Sequence, residues 1–131
     1  MNSILNKLIL ISVILLSLWF SSCGDEPNTY FVKYEVQTSS IYSYSNVTIE
    51  ITTENGIETK QVKRNWDGTF GPISKNTPII LKVTHEGEDY VLEHSKFTGR
   101  ISISKDNSPF VLKAEETANG KPLNMSYSID F

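Results

Sequence analysis

The chain has 131 residues with 12 basic and 15 acidic side chains, a net charge of −3, and 39% hydrophobic residues. That length holds one domain, and so mixed a composition excludes a disordered or collagen-like chain. Two arginines in an acidic sequence leave no basic footprint, so no nucleic-acid partner is expected. The apolar residues are unevenly spread: positions 1–22 hold 14 of the 51 hydrophobic residues and a single charge, Lys7. Lys7 supplies a positive start and residues 8–20 (LILISVILLSLWF) an apolar run of 13. A helix needs about 20 apolar residues to cross a bilayer, so this run suits a cleaved signal helix, residues 1–22.

The small pair Ser21-Ser22 follows, and then Cys23, the only cysteine. A lone cysteine cannot form an internal disulfide. Phe20-Ser21-Ser22-Cys23 resembles the bacterial lipobox, with Phe20 where the usual motif has Leu. The resemblance implies that Cys23 is diacylated, carries palmitate-type chains and becomes the first mature residue, so that the membrane is a partner through this lipid. Two or more acyl chains, at about 0.8 kcal/mol per buried methylene, suffice for stable anchoring. Gly24 replaces the aspartate associated with inner-membrane retention, and Asp25-Glu26 resembles the surface-export signal of Bacteroidota lipoproteins. The expected location is the outer membrane, with periplasmic and surface-facing orientations both open. Residues 23–28 form the acylated start and a short tether, and residues 29–131 a single domain.

In residues 23–131, Val, Ile and Thr number 28 and Ala and Leu only 6, a balance that favours sheet over helix. Period-two alternation follows in chain order. Tyr30, Val32, Tyr34 and Val36 form the first inward set, and Val47, Ile49 and Ile51 the second. Asn55-Gly56 then marks a hairpin into residues 57–63. Ile79, Leu81 and Val83 alternate next, and Glu86-Gly87 is expected to turn the chain into a strand at 90–93. Ile101 and Ile103 alternate with Ser102 and Ser104. Turns at 105–108 and 119–121, each followed by proline, flank a strand whose inward set reads Phe110, Leu112 and Ala114. This leaves Phe31 and Val111 on outward faces, as a hint of a second apolar patch, with a short irregular turn at 114–119. Leu123, Met125, Tyr127, Ile129 and Phe131 close the series. The expected fold is all-β, an antiparallel β-sandwich of about seven or eight strands and of immunoglobulin-like type.

The lipidated start, the Tyr-x-Val-x-Tyr-x-Val strand, Val-Thr-Ile-Glu-Ile before Asn-Gly, the central Trp66, and the paired segments Ile-x-Ile-x-Lys-Asp and Pro-Phe-Val-Leu-Lys resemble small Bacteroidota lipoproteins. Their sandwich is similar to the MmpS-like accessory domains of large membrane transporters, although Asn65 stands where that pattern has Pro before the tryptophan. The resemblance implies architecture first, and an accessory role beside a transport complex second.

Residues suited to catalysis are few. His85 and His94, with Glu86, Glu88, Asp89 and Glu93 nearby, match no zinc spacing and read better as a solvated loop. Glu86/Glu88 and Glu115/Glu116 are not read as a glycosidase dyad: the adjacent Glu115 and Glu116 would face opposite ways on a strand, and nothing marks a cleft between the pairs. No Gly-x-Ser-x-Gly elbow is present, the acidic loops lack the twelve-residue calcium spacing, and no enzyme activity, metal or cofactor is assigned. Binding is the better expectation. Trp66 and Phe70, within Asn-Trp-Asp-Gly-Thr-Phe-Gly-Pro, are either a partner anchor or sugar platform, or a plug at one end of the core. Tyr42 and Tyr44, in a Ser/Tyr-rich segment, suit an adaptable binding loop or a solvent-facing strand edge. Two functions are carried forward: a noncatalytic protein-interaction or accessory module of an envelope complex, and a glycan- or small-ligand-binding lipoprotein. Edge-strand addition is one way the first could work.

Overall fold

The computed structural model describes residues 28–40, 46–87 and 89–130. Eight strands form two antiparallel four-stranded sheets: β1 (Tyr30–Ser40), β2 (Val47–Thr53), β3 (Gly56–Val62), β4 (Trp66–Ile73), β5 (Ile79–His85), β6 (Ser95–Lys105), β7 (Val111–Asn119) and β8 (Leu123–Tyr127). One sheet has the order β4-β1-β6-β7 and the other β3-β2-β5-β8. The chain crosses between sheets at every connection except the β2–β3 and β6–β7 hairpins. The all-β sandwich expected from the alternation is therefore the fold.

The core is made by those alternating residues. Tyr30, Val32, Tyr34 and Val36 from β1, Val47, Ile49 and Ile51 from β2, and Ile79, Leu81 and Val83 from β5 are each no more than 1% exposed. Phe97, Ile101 and Ile103 on β6 and Leu123 and Met125 on β8 add to it, with Ile73, Ala118 and Ile129 at its margins. Gly99 sits among them on β6; a methyl group there would lie 2.6 Å from Leu123 Cδ2 and 2.8 Å from Met125 Sδ, so its bare backbone lets the facing sheet approach. A polar contact also joins the sheets, and a second ties β2 to the residue before β5 of its own sheet. The Tyr34 hydroxyl donates to the Thr52 carbonyl at 2.7 Å, and the Thr52 hydroxyl donates to the Pro78 carbonyl at 2.9 Å. Burial outweighs that hydrogen bond and pushes the Tyr34 hydroxyl above the usual phenol range.

Two turns show how sequence sets register. In the β2–β3 hairpin Thr53 pairs with Gly56, which takes φ of 104°, so Glu54 and Asn55 make the turn and the glycine absorbs the twist. Between β6 and β7, Asp106 and Asn107 both take positive φ (52° and 61°), and Ser108 N–H donates to the Lys105 carbonyl at 3.0 Å. That is a type I′ turn, which matches strand twist.

Several expectations are corrected. Residues 89–93 form a short helix, α1 (Asp89–Glu93), and not a strand. Glu86-Gly87 therefore does not close a hairpin: β5 and β6 belong to different sheets. Residues 114–119 continue β7 rather than forming an irregular turn. The β6–β7 register slips between Ile101 and Ser102, where Ala114 faces Ile101 and Leu112 faces Ser102. This bulge at Lys113 breaks the alternation, and Phe110 (42%), Val111 (53%) and Leu112 (52%) are all exposed, while Ser102 and Ser104 of β6, expected to face outward, are buried. The last strand ends at Tyr127, although Ile129 beyond it is still buried.

Candidate functional site

The region around Trp66 is built by the paired edges of the two sheets. Edge strands β4 and β3 are joined by a three-residue loop, residues 63–65. Trp66, Gly68 and Phe70 pair with Val36, Tyr34 and Val32 of β1, all inward-facing, so period two turns both aromatics toward the sandwich interior at its open side. They pack there against the core without being sealed in it. The Trp66 and Phe70 rings stack with centroids 6.2 Å apart and planes at 28°, directly over Gly68, where a Cβ would fall 2.7 Å from the indole. Phe70 in turn leans on Tyr34, with centroids 6.1 Å apart.

From the facing edge, Lys60 holds its ammonium 5.4 Å from the Phe70 centroid, a cation–π contact, and lies 3.5 Å from Glu58. Lys60 and Glu58 are on the inward side of β3, opposite Ile49 and Ile51. Charges placed there discourage indiscriminate pairing along an open edge. The linking loop is fixed by Asn65, whose side-chain oxygen accepts from Thr38 N–H at 2.8 Å. The result is an ordered aromatic seam between two open strand edges, with Asp67 and Thr69 projecting outward and exposed.

Trp66 thus lies between the two readings drawn from sequence: it packs on the core and keeps part of its surface accessible. Phe70 joins it. Cys23, Tyr42 and Tyr44 lie outside the described residues, as do the signal segment and Glu88. The side chain of Asp89 is likewise outside them. Sequence reasoning missed Lys60, because its approach to Phe70 depends on two sheets meeting.

At the other candidate positions the geometry is structural. His85 tilts against Phe97 with centroids 5.2 Å apart, and neither ring nitrogen has a hydrogen-bond partner among the described residues. Glu86 accepts from the Thr48 hydroxyl at 3.0 Å and also from the Gln61 amide, tying β2 and β3 to the end of β5. Glu115 is paired with Arg100 across β6–β7. Among the described residues no three His, Cys, Asp or Glu side chains gather as a metal site, and no helix is long and apolar enough to cross a membrane.

No protein-family model matches the chain, and no curated protein sequence does either.

Proposed function

We propose that this chain is a lipid-anchored envelope protein, held by an acylated Cys23, whose sandwich is a noncatalytic protein-interaction module. The observation that carries this reading is the β3–β4 seam. Trp66 is packed in place by Phe70, Gly68 and the Asn65-fixed loop, yet part of it remains accessible beside the unpaired edge of β4. A rigid aromatic at a strand edge suits a protein partner that adds a strand and buries the indole, because little side-chain entropy remains to be lost. The resemblance to accessory domains nominates an outer-membrane transport complex as the class of partner.

The test is photocrosslinking in intact envelopes from a probe at Thr69, with and without Trp66→Ala. The reading expects one recurrent protein adduct that weakens at least about tenfold in the variant, the scale of a ~1.4 kcal/mol hot-spot loss. Trp66 is the only tryptophan in residues 23–131, so its fluorescence reports on this site alone. Absence of any protein adduct, together with an emission change on titrating polysaccharide, would replace this reading with glycan binding.

A further inference from the structure

Strand direction sorts the surface of the sandwich into two unlike ends. β1 begins beside the 105–108 turn: Thr29 N–H donates to the Asp106 carboxylate, and Asp106 N–H donates to the Thr29 carbonyl, each at 2.8 Å. Tyr30 pairs with Ile73 and Lys105, whereas Ser40 at the other end of β1 pairs with Ser95. The β2–β3 hairpin belongs to the first end, because Glu54 accepts from Gly71 N–H at 3.1 Å. Phe110, Val111 and the start of β7 belong there too, since Val111 pairs with Ile103, two residues from the end of β6.

The four large hydrophobic residues most exposed among the described ones all lie at that end: Ile57 (55%), Phe110 (42%), Val111 (53%) and Leu112 (52%). They sit on opposite sides of it. Ile57 is on β3, an outer strand of one sheet, and Val111 and Leu112 are on β7, the far outer strand of the other. Both histidines and the 63–65 loop lie toward the opposite end of β1, and Trp66, paired with Val36, stands six residues or about 20 Å along β1 from Tyr30.

Residues 24–27 are all that separate Cys23 from Asn28, where the described structure begins. Even fully extended, five residue steps span at most about 18 Å. An acylated Cys23 would therefore hold the apolar end, and not the Trp66 end, beside the bilayer.

We propose that Ile57 and the Phe110-Val111-Leu112 segment dock into the lipid interface next to the anchor and stand the sandwich upright, with Trp66 and the 63–65 loop directed away from the membrane. The inference rests on the lipid anchor of the preceding reading. A bilayer fits better than a protein pocket because the two apolar groups lie on opposite sides of one end, where a flat surface meets both at once. Apolar side chains displayed this way otherwise expose surface to water without compensation.

The test uses full-length acylated protein in phosphatidylethanolamine/phosphatidylglycerol vesicles. Because Cys23 is blocked by acylation, an environment-sensitive fluorophore can be placed on Leu112→Cys, Ile57→Cys, Lys63→Cys or Lys121→Cys. Docking expects blue-shifted emission and quenching by lipid-borne nitroxide at 112 and 57, and water-like, unquenched emission at 63 and 121. Protein that floats with vesicles but gives water-like emission at all four sites overturns the docking while leaving the anchor intact. Protein that fails to float overturns the anchor, and the docking with it. A shift at 112 and 57 seen only in native envelopes, with crosslinks to a protein, overturns lipid as the occupant.

Discussion

Gly99 should be a point where the two sheets are in direct steric competition, and Gly99→Ala probes it. The new methyl would lie 2.6 Å from Leu123 Cδ2, 2.8 Å from Met125 Sδ and 3.0 Å from Leu81 Cδ2, against a preferred carbon–carbon separation of about 3.5–4.0 Å. Met125 can swing its thioether aside at little cost, but Leu123 is 1% exposed and has nowhere to go without leaving its rotamer. Overpacking of this kind costs about 1–3 kcal/mol, and replacing a strand glycine by alanine returns about 0.5–1 kcal/mol in backbone entropy. The net expectation is a loss of about 1–2 kcal/mol. Leu123→Ala alone opens a cavity and should cost about 2–5 kcal/mol. In the double variant the added methyl occupies part of that cavity, so the combined loss should fall short of the sum by at least about 1 kcal/mol. Urea denaturation of the unacylated Cys23→Ser chain, followed by circular dichroism, measures all four corners of the cycle. Strict additivity, or a Gly99→Ala protein as stable as its parent, would refute the packing of β6 against β8 described here.

Three further outcomes are expected. Tyr34→Phe leaves the Thr52 carbonyl without its buried donor and should cost about 1–2 kcal/mol at neutral pH in the same denaturation assay. Burial, reinforced by Asp130, pushes the Tyr127 hydroxyl up to about 12, and burial also raises Tyr34. A raised folded-state value means that the folded chain holds protons the unfolded chain releases. The resulting stability is complete below about pH 10 and is lost as pH rises toward 12 and beyond, so a pH series should show a decline above pH 10 that is shallower in Tyr127→Phe. His85→Leu should leave the melting temperature unchanged or raise it, because both ring nitrogens lack partners among the described residues and an aliphatic group can fill the space against Phe97. A large fall in melting temperature would show that His85 is doing more than packing.

Where a strand has one buried face, the sequence carries the structure openly. The alternating sets of β1, β2 and β5 appear as the central strands of the two sheets. Alternation misleads in β7 because one extra residue at Lys113 breaks the register and Phe110, Val111 and Leu112 before it are all exposed, and period-two patterns contain no marker for such a slip. Five residues are too few to display a helical period, so α1 resembles a strand fragment in sequence. The Glu86-Gly87 pair has hairpin chemistry, and only the competition among whole strands for neighbours decides that β6 crosses to the other sheet. The same division holds for the seam. That Trp66 and Phe70 share a face follows from their spacing of four only once residues 66–73 are a strand, and the turn residues Asp67-Gly68 and Gly71-Pro72 make that stretch read as a loop in the sequence. The cover supplied by Lys60, and the gathering of Ile57 with Phe110 and Leu112 at one end, arise from strand order and direction, which no local window contains.

Both functional inferences require the chain to be anchored through Cys23. The most direct measurement is mass spectrometry of the amino-terminal peptide from protein isolated from outer membranes, with Cys23→Ser as the comparison. The proposal predicts a peptide beginning at Cys23 and carrying a diacylglycerol thioether, membrane recovery of the parent chain, and release of the variant into the soluble fraction. An unmodified Cys23, or a Cys23→Ser protein that stays in the membrane fraction, would contradict it.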